Sequence, residues 1–414
     1  MLESILESSR PAPPVVTDPI AYLLRETAEL PTPLLVLSAS QTRENFDRLA
    51  AAFPDTAIFY AMKANPHPAI LHALQESGCG IDIASGPELR AALGAGFSAD
   101  RMIFSAPFKR PAAIREAAEA GVGLMVADSP GEVESIARHA PGACLIIRAS
   151  VPAAQAVAGM RQKFGADLEE VVPLLHQGRR QGLRPWGISF HVGSQCIEAA
   201  AWLSAIAHVR PIWAQAAAEG IPLSLLDIGG GFPVPYIHPV PAIEDLASPI
   251  LRAARQLFAG GSAPRPALAI EPGRIMTNHA AALVTTVLGT AVRGGRRYVY
   301  LDSGVFNGLH ETLEGIAYGV YREGDLLAGR GASTSLIPVT LAGPTCDGSD
   351  VIAHAVPLPP IAIDDRLVFL QTGAYTIATE DFNGMYYPTV FLEDHYRDRA
   401  AIRRLEPVCL GAAS

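Results

Sequence analysis

Eight short apolar segments, rich in β-branched residues, recur along the first two thirds of the chain and constrain its fold more than any other feature. The stretches between them are rich in Ala, Glu, Arg and Leu at a helical period, as in PELRAALGAG. Strands that alternate with helices predict a parallel sheet. Eight units over about 220 residues favour a closed (β/α)8 TIM barrel, with an open doubly wound sheet as the alternative. The predicted strands are AIFYAM (57–62), GIDIAS (80–85), RMIFSA (101–106), GLMVAD (123–128), CLIIRA (144–149), GISFHVG (187–193), LLDIGGG (225–231) and LAIEPGR (268–274).

The pattern changes after Arg274, where strand-like segments are separated by Gly, Pro and Asp turns with little helix between them. These segments (281–292, 296–304, 333–343 and 366–378) predict an all-β, Greek-key-like second domain. The segment TPLLVLS (32–38) also has a strand pattern, and we expect it to join the β domain from the N-terminal side. The predicted organisation is an N-terminal tail and joining strand (1–33), a cofactor-binding barrel (34–275) and a C-terminal β domain (276–414).

Composition excludes several classes of protein. With 414 residues, 49% of them hydrophobic and only 18% charged, the chain can bury a large core and is not disordered. The formal charge of −9 argues against a binder of nucleic-acid phosphates, which needs basic patches.

Three further features of the sequence bear on the cellular location of the protein. Mean hydropathy is +0.23, yet the longest nearly uncharged apolar stretch, 280–292, is shorter than the roughly 20 residues of a spanning helix. The N-terminus is acidic and shows no signal peptide. The five cysteines are scattered without a CxxC pair, which favours a cytoplasmic enzyme without a zinc ribbon or disulfide framework.

Lysine is rare in this chain. Of the 32 basic residues only three are lysine, at positions 63, 109 and 163. A lysine kept against such a bias indicates a need for an amine that can lose its proton, which arginine cannot supply. An ordinary surface lysine is the alternative at each position.

Polar and ionisable side chains follow the predicted barrel strands, at the end where such barrels place their reactive groups. Three successive glycines end strand seven, where backbone amides can approach an anion closely, and Arg274 and Ser194 add possible donors. A tight turn that needs positive φ is the alternative explanation. Without a P-loop lysine, a small phosphorylated cofactor is favoured over a nucleotide. The rim residues are Lys63, Asp82, Ser85, Glu88, Lys109, Arg148, His191, Ser194, Gly229, Gly230, Gly231, Glu271 and Arg274.

A phosphate site combined with an unusual lysine suggests pyridoxal 5'-phosphate, whose aldehyde condenses with amines. A carboxylate such as Glu271 would keep the ring nitrogen protonated, and a flat imidazole such as His191 would stack on the ring. A hydrogen-bonded rim histidine is the alternative for His191.

Taken together, these residues resemble the fold-type III pyridoxal-phosphate-dependent decarboxylases. This group includes ornithine, lysine and diaminopimelate decarboxylases, with alanine racemase as a distant relative. The resemblance runs from about residue 32 to 392, and it implies a cofactor-binding barrel followed by a β domain that the N-terminal strand joins. The motifs that carry it, in the family's order, are YAMKANP, IDIASGPEL, KFGA, SFHVGSQC, LDIGGGFP, EPGR, GPTCDGSD and TGAYTIATEDFNG.

The match assigns roles to the cofactor site. Lys63 resembles the lysine that binds the cofactor aldehyde covalently, His191 the residue stacked on the ring, and Glu271 the partner of the pyridine nitrogen. The supporting positions near the lysine and the ring match Asp82, Glu88 and Arg148. The phosphate-binding positions match Ser194, Gly229, Gly230, Gly231, Arg274 and Tyr375.

The resemblance also implies a shared active site. Cys346 and Asp347 match a cysteine and an aspartate that the family inserts into the partner subunit's site. The cysteine is implicated in returning a proton to the substrate carbon, and the aspartate in binding the distal amine. Phe382 matches a residue that lines the substrate pocket. We therefore expect a homodimer that acts on a small amino acid, without a nucleic-acid or membrane partner.

The motifs also distinguish branches of the family. GPTCDGSD resembles the ornithine/lysine branch, since diaminopimelate decarboxylases typically carry a CES-type sequence there. Glu271 favours loss of carbon dioxide, because alanine racemases typically place an arginine against the pyridine nitrogen. The expected reaction is decarboxylation of a diamino acid such as ornithine or lysine, or of a related amino acid of specialised metabolism. An amino-acid racemase is the alternative.

One position departs from the ornithine branch, which often has an aspartate directly before the glycine of a DGVYGS-like segment, where it helps hold the far amine. This chain has Ser303 there and Asp302 one residue earlier. Adjacent residues of a strand face opposite ways, so the aspartate does not simply replace the family's residue. Both residues are candidate substrate contacts, and lysine, ornithine, arginine, a carboxylated polyamine precursor and a carrier-linked amino acid all stay open as substrates.

Two alternatives come from other functional classes. A catalytically silent homologue would only bind partners, but the chain retains Lys63, His191, Glu271 and Cys346. A barrel metallohydrolase would use His191 and the rim carboxylates, but the sequence has no HxH pair or matching ligand set, so no metal is expected.

Overall fold

Strands and helices alternate along the chain as far as residue 270, and strands dominate after it. The computed structural model describes residues 16–152, 156–158, 163–258, 265–329, 335–377 and 389–392. The strands, in chain order, are β1 (Leu34–Leu37), β2 (Thr56–Ala61), β3 (Gly80–Ile83), β4 (Met102–Phe104), β5 (Leu124–Ala127), β6 (Cys144–Arg148), β7 (Ala156–Ala158), β8 (Arg184–Ser189), β9 (Ser194–Cys196), β10 (Leu225–Asp227), β11 (Ala267–Ile270), β12 (Ala281–Arg293), β13 (Arg296–Leu301), β14 (Val320–Arg322), β15 (Ile337–Ala342), β16 (Val351–Leu358), β17 (Arg366–Leu370) and β18 (Thr389–Leu392).

The helices begin and end at recognisable signals. Pro68, Pro111 and Pro130 each begin a helix, where the missing amide hydrogen costs nothing. Gly121 ends one of them in the left-handed conformation, with φ of 95°. The α-helices are Asp18–Glu26, Ala39–Ala52, Pro68–Glu76, Gly86–Gly94, Pro111–Ala120, Pro130–His139, Val171–Arg180, Ala199–Ala218, Ile243–Leu257, Arg274–Thr277 and Glu323–Leu327. Short 3-10 turns lie at Met62–Ala64, Ala99–Arg101, Leu168–Glu170, Asn278–Ala280 and His310–Glu314.

Eight parallel strands close into a barrel in the order β2, β3, β4, β5, β6, β8, β10 and β11. The closing pair is β11 with β2, where Leu268 lies opposite Thr56. All eight predicted barrel strands are confirmed, and the closed barrel is correct where an open sheet was the alternative. Side chains from six of these strands form one buried apolar cluster of Phe59, Ile103, Val126, Ile146, Leu225 and Ala269.

The later strands form a separate, mostly antiparallel sheet in the order β14, β17, β12, β13, β15 and β16. The N-terminal strand β1 pairs antiparallel with β12 and parallel with β18, which confirms that it joins this sheet. The helix Asp18–Glu26 packs its apolar face on the same sheet. The resulting cluster contains Ile20, Leu23, Leu24, Leu34, Val36, Ala282, Val284, Val368 and Leu370.

The chain divides into two compact units, a barrel unit and a sheet unit. The barrel unit comprises Arg43–Pro233 and Val240–Met276, and the sheet unit takes the residues up to Thr42, Val234–Pro239 and the residues from Thr277 onward. The predicted start of the barrel at residue 34 differs from this division, because the backbone of β1 hydrogen-bonds within the sheet. The segment Val234–Pro239 also belongs to the sheet unit, although it lies within the predicted barrel range.

A search for membrane-spanning helices across the described ranges found no candidate of sufficient length and apolar character.

Candidate active site

Lys63 lies directly beyond β2, in the 3-10 turn Met62–Ala64, and its amine points toward β3. Its Nζ is 3.4 Å from Oδ2 of Asp82. The lysine side chain is 53% exposed, whereas that of Asp82 is only 1% exposed. Ser105 donates a hydrogen bond to the other carboxylate oxygen, Oδ1 of Asp82. The arrangement pairs a buried, anchored carboxylate with an amine that a ligand can reach.

Glu88 takes its place because the helix Gly86–Gly94 begins with a reciprocal cap. The Oγ of Ser85 accepts a hydrogen bond from the amide of Glu88 at 3.3 Å, and Oε2 of Glu88 accepts one from the amide of Ala84 at 2.6 Å. Burial raises the pKa of Glu88, and the neighbouring Asp82 carboxylate adds to this effect. Glu88 therefore fixes the start of this helix through its cap hydrogen bonds, and its carboxyl group lies near the Lys63–Asp82 pair.

His191 follows β8 and is held as a neutral imidazole. Its Nδ1 accepts a hydrogen bond from the amide of Gly193 at 2.9 Å. Burial lowers the pKa of His191 to about 3, and the positive charges of Arg148 and Lys63 act in the same direction. The guanidinium of Arg148 lies 5.6 Å from the centre of the Phe164 ring. A flat, uncharged ring therefore stands among cations at this end of the barrel.

The triple glycine after β10 leaves no room for side chains. A Cβ on Gly229 would lie 2.4 Å from the carbonyl oxygen of Phe190, and one on Gly231 would lie 2.1 Å from that of Gly193. Both glycines also have positive φ, 67° and 93°. A Cβ on Gly230 would lie 2.4 Å from the carbonyl oxygen of Glu271. The tight-turn explanation is thus correct, because backbone carbonyl oxygens already occupy the space that side chains at these positions would need.

Arg274 lies buried beside this turn, at the start of the helix Arg274–Thr277, and is 6% exposed. Its Nη2 donates to Oγ of Ser194 at 3.4 Å. The predicted phosphate-binding pair of arginine and serine is therefore in contact within the barrel unit.

Glu271 follows β11 with a carboxyl group that the described chain leaves incompletely bonded. Its Oε1 is buried and accepts no hydrogen bond from the residues described. Burial raises the pKa of Glu271 well above its ordinary value, with a further rise from the carboxylates of Asp227 and Asp82. Such a group is suited to a ligand atom that carries or accepts a proton.

Asp227 was missed by the sequence reasoning. It ends β10 and is fully buried beside Glu271, and burial raises its pKa to about 6. The available signal was an acid in LLDIGGG at the end of an apolar strand, next to the strand that carries Glu271.

The second lysine of the rim has a structural partner. Nζ of Lys109 lies 2.7 Å from Oε1 of Glu132, and it also donates to the carbonyl oxygens of Ala106 and Val126. Its side chain is 0% exposed. Lys109 is therefore a buried structural cation. Of the two lysines that follow barrel strands, Lys63 is the one with an accessible amine.

Cys346 and Asp347 lie in the sheet unit, in the loop between β15 and β16. The Cys346 thiol is free and exposed. Asp347 accepts hydrogen bonds from the amide and hydroxyl of Ser349, and these bonds lower the pKa of its carboxyl group. Both side chains are available at the surface of their unit.

Asp350, a second residue that the sequence reasoning missed, anchors this loop. It is 3% exposed, and its carboxylate accepts hydrogen bonds from the amides of Val305 and Thr345 at 2.8 and 3.0 Å and from the Thr345 hydroxyl at 2.6 Å. The motif GPTCDGSD contains Asp350, but its role as an anchor depends on Val305, which is 45 residues away in the chain.

Asp302 and Ser303 have internal partners in the sheet unit. The carboxylate of Asp302 accepts hydrogen bonds from the amide of Thr286 at 2.9 Å and from the hydroxyl of Thr32. Ser303 is fully buried and donates to the carbonyl oxygen of Asn307 at 2.8 Å. Both side chains thus serve the sheet, and neither is directed by these bonds toward a ligand.

Two further predicted residues belong to the last part of the chain. Tyr375 lies in the sheet unit with a φ of 59°, unusual for a residue with a side chain. Phe382 lies outside the described residues. Over the ranges that are described, no three His, Cys, Asp or Glu side chains are grouped as metal ligands.

Comparisons with known proteins agree with this geometry. A family model described as "Pyridoxal-dependent decarboxylase, pyridoxal binding domain" matches residues 39–278. The chain is 35% identical over 368 residues to the lysine/ornithine decarboxylase of Selenomonas ruminantium, covering 88% of this chain and 91% of that protein. It is 31% identical over 359 residues to the ornithine decarboxylase of Mus musculus, covering 83% and 77% of the two chains.

Solved structures give the same result. The lysine/ornithine decarboxylase of Vibrio vulnificus, complexed with putrescine, has a TM-score of 0.81 at 31% identity and covers 91% of this chain and 99% of its own. The arginine decarboxylase of Paramecium bursaria Chlorella virus has a TM-score of 0.81 at 28% identity, with 90% and 98% coverage. The chain belongs to the pyridoxal-dependent decarboxylases, on their ornithine/lysine branch.

Proposed function

We propose that this decarboxylase removes the α-carboxyl group of a basic amino acid, such as ornithine or lysine, and releases a diamine and carbon dioxide. The observation that carries the proposal is the gathering of Lys63, His191 and Glu271 at the carboxyl ends of the barrel strands, around one triple-glycine turn. The substrate class is supported by the named activities of the relatives. It is also supported by the Vibrio vulnificus structures with putrescine and cadaverine, the diamines that ornithine and lysine give.

The residues present suit pyridoxal phosphate. The glycine turn carries no side chains that would obstruct the approach of a phosphate group to backbone amides. Arg274 supplies a buried cation in contact with Ser194. Lys63 offers an accessible amine for an aldehyde. Glu271 offers a buried carboxyl oxygen that the described chain leaves without a donor. These features match the three reactive parts of the cofactor, its phosphate, its aldehyde and its ring nitrogen.

The chain's own residues bind and orient the reacting groups. When bound, pyridoxal phosphate supplies an aldehyde that condenses with amines and a ring that accepts the electron pair left by a departing carboxyl group. Lys63 holds its amine beside the carboxylate of Asp82, which keeps the amine at the rim. His191 presents a neutral, flat ring that packs without adding positive charge. Glu271 holds a proton at the ring nitrogen.

Substrate selection and proton return would come from the sheet unit. We assign the return of a proton to the substrate carbon to the exposed thiol of Cys346, and the binding of the distal amine to Asp347. Both side chains are exposed on their own unit, so a second copy of the chain could receive them. The active enzyme is then a homodimer with shared active sites, as in the family's pattern.

A cytoplasmic location fits the same proposal. Cys79, Cys144, Cys196 and Cys346 are all free thiols, and the last is exposed. A reducing compartment keeps such an exposed thiol available for proton transfer.

The test is release of carbon dioxide by the purified protein loaded with pyridoxal phosphate. The panel holds L-ornithine, L-lysine, L-arginine, their D-forms and meso-diaminopimelate. We expect release from L-ornithine or L-lysine. An inverted α-carbon without release of gas would overturn the proposal in favour of a racemase.

Lys63→Arg is the matched variant, because it keeps the positive charge beside Asp82 but removes an amine that can condense with an aldehyde. We expect Lys63→Arg and Lys63→Ala to lose turnover alike, and full activity in either would contradict the assignment. For the shared site, the Lys63→Ala and Cys346→Ala proteins are mixed and allowed to exchange subunits. Activity above that of either alone is expected, and no gain would exclude sharing.

A further inference from the structure

Asp227 is a fully buried carboxyl group that none of the roles above uses. Its Oδ1 accepts a hydrogen bond from the amide of Gly229 at 2.8 Å, a bond across two residues that fixes the backbone where φ becomes positive. The carbonyl oxygen of the same glycine accepts the amide hydrogen of Glu271 at a distance of 3.0 Å. One glycine therefore connects the backbone positions of Asp227 and Glu271.

The two acids share a further property. Oδ2 of Asp227 and Oε1 of Glu271 are both buried, and no N–H or hydroxyl group of the described chain donates to either. The two carboxyl groups are within hydrogen-bond reach of each other, which favours the ionised form of Asp227 when Glu271 carries a proton. Asp227 ends β10, and Glu271 directly follows the neighbouring parallel strand β11. Two carboxyl groups so placed repel each other when both are ionised, so the pair retains one proton near neutral pH.

The surroundings decide where that proton resides. Burial raises the pKa of Asp227 to about 6, and it raises the pKa of Glu271 well above its ordinary value. Asp227 is the neighbouring charge with the largest effect on Glu271, ahead of Asp82, and Lys63 and Arg148 act in the opposite direction. The ionisable groups around the pair are Lys63, Asp82, Arg148 and the neutral His191. The amide of Gly229 donates to Asp227 and favours its ionised form, whereas no N–H or hydroxyl of the described chain donates to Oε1 of Glu271, so we place the shared proton on Glu271.

We propose that Asp227 is a positioning residue whose negative charge keeps a proton on Glu271 until a basic ring nitrogen binds there. This inference rests on the proposed use of pyridoxal phosphate and names the residue that prepares its nitrogen partner. On binding, the O–H bond of Glu271 breaks, an N–H bond forms at the ring nitrogen, and Glu271 becomes a carboxylate that accepts that N–H. Asp227 stays ionised and offsets the positive charge that the ring gains.

Asp227→Asn separates the charge from the turn geometry, because the Asn side-chain oxygen can still accept from the Gly229 amide. The probes are pyridoxal phosphate and its carbocyclic analogue, in which C–H replaces the ring nitrogen. Dissociation constants for both are measured by absorbance titration. The original protein should prefer pyridoxal phosphate, and Asp227→Asn should reduce that preference about tenfold, the equivalent of one pKa unit at Glu271.

Two variants control for general damage to the site. Glu88→Gln removes another buried carboxyl group near Lys63, but Glu88 is not among the charges that act on Glu271. It should change both affinities by the same factor and leave the preference intact. Glu271→Gln should lose the preference, and adding Asp227→Asn to it should lose nothing more.

The protein without cofactor gives an independent readout. Because the pKa of each acid is raised in the folded state, the folded protein binds more protons than the unfolded chain, and its stability falls as pH rises from about 4 through about 6 and above. Asp227→Asn removes the part of this pH-dependent loss of stability that comes from ionising Asp227. Its unfolding midpoint should exceed that of the original protein by about 2–4 °C at neutral to basic pH, with the gain vanishing at acid pH.

The outcomes are distinguishable. If neither the original protein nor any variant binds pyridoxal phosphate, the proposed function is refuted. The unfolding data would still decide whether the two acids are coupled. Normal binding with an unchanged preference in Asp227→Asn, or an unfolding midpoint with the original pH dependence, would overturn the role of Asp227.

Discussion

Replacing Glu132 by Gln should destabilise the barrel unit by about 3–5 kcal/mol, because the buried ammonium of Lys109 then loses its directly paired carboxylate and keeps only the weaker attraction of Asp128. The side chains of Lys109 and Glu132 are 0% and 5% exposed, and Nζ lies 2.7 Å from Oε1. The hydrogen-bond partners that remain are the neutral carbonyl oxygens of Ala106 and Val126, at 2.8 and 2.6 Å, and the amide oxygen of the new glutamine. These neutral dipoles orient the ammonium but do not neutralise it, so most of the penalty of burying a charge is left uncompensated.

The pH dependence of this loss has a definite sign. Burial lowers the pKa of Lys109, and the nearby carboxylate of Glu132 is the largest influence that opposes this shift. Without Glu132 the pKa of Lys109 in the folded protein falls further below 10.5. The pH range in which the unfolded chain binds more protons than the folded variant therefore becomes wider. The stability of Glu132→Gln therefore rises with pH in that range, and its deficit should be smaller at about pH 9.5 than at pH 7.

Urea-induced unfolding measures both effects, with the midpoint shift interpreted at a constant slope. The double variant Lys109→Met with Glu132→Leu replaces the pair by apolar groups of similar size and should recover most of the loss. Glu76→Gln is the control, because its ion pair with Arg43 is 60% and 45% exposed and should matter by less than about 1 kcal/mol. A loss below about 1 kcal/mol for Glu132→Gln at pH 7, or a deficit that does not shrink at high pH, would refute the reasoning.

Two further variants test the glycine turn and the Cys346 loop. Gly231→Ala should weaken binding of pyridoxal phosphate at least tenfold, since its Cβ would lie 2.1 Å from the carbonyl oxygen of Gly193; Gly94→Ala, whose Cβ meets nothing within 4 Å, should leave the affinity unchanged. Asp350→Ala removes the acceptor of three loop hydrogen bonds, so Cys346 should react faster with a thiol reagent while carbon dioxide release slows. Unchanged affinity in Gly231→Ala, or an unchanged labelling rate in Asp350→Ala, would contradict these roles.

The barrel could be predicted from the sequence because its strands are short, apolar and separated by helices with strong signals. The same pattern placed Lys63, His191 and Glu271 at one rim, since parallel strands end on the same side. The N-terminal strand β1 was also predicted correctly. Its apolar segment precedes the eight regularly spaced barrel strands, so it has to pair with strands outside the barrel. The position of the barrel boundary was less accurate, since pairing of Leu34–Leu37 with β12 depends on residues more than 240 positions away.

Side-chain partners were the part that the sequence did not reveal. The rarity of lysine marked Lys63 and Lys109 equally, yet Glu132 on the following helix makes one of them an internal cation. Asp302 and Ser303 were treated as adjacent strand residues, but both lie beyond Leu301, where β13 ends. The strand pattern could not show that Thr32, from the N-terminal segment, donates to Asp302. Such contacts depend on the packing of distant segments, which a local pattern does not encode.

The buried carboxyl pair of Asp227 and Glu271 connects the stability of the barrel to its chemistry. No N–H or hydroxyl group of the described chain donates to Oδ2 of Asp227 or Oε1 of Glu271, and a buried polar group without a partner costs roughly 1–3 kcal/mol. Neighbouring acids on the same rim avoid this cost, since Asp82 accepts from Ser105 and Lys63. The difference indicates that the site is built for a group with its own proton or basic nitrogen. A ligand that binds only the folded chain adds stability in proportion to the logarithm of its concentration relative to its dissociation constant. The cost at Glu271 is therefore offset when the cofactor binds, at the carboxyl group that we propose as the partner of its ring nitrogen.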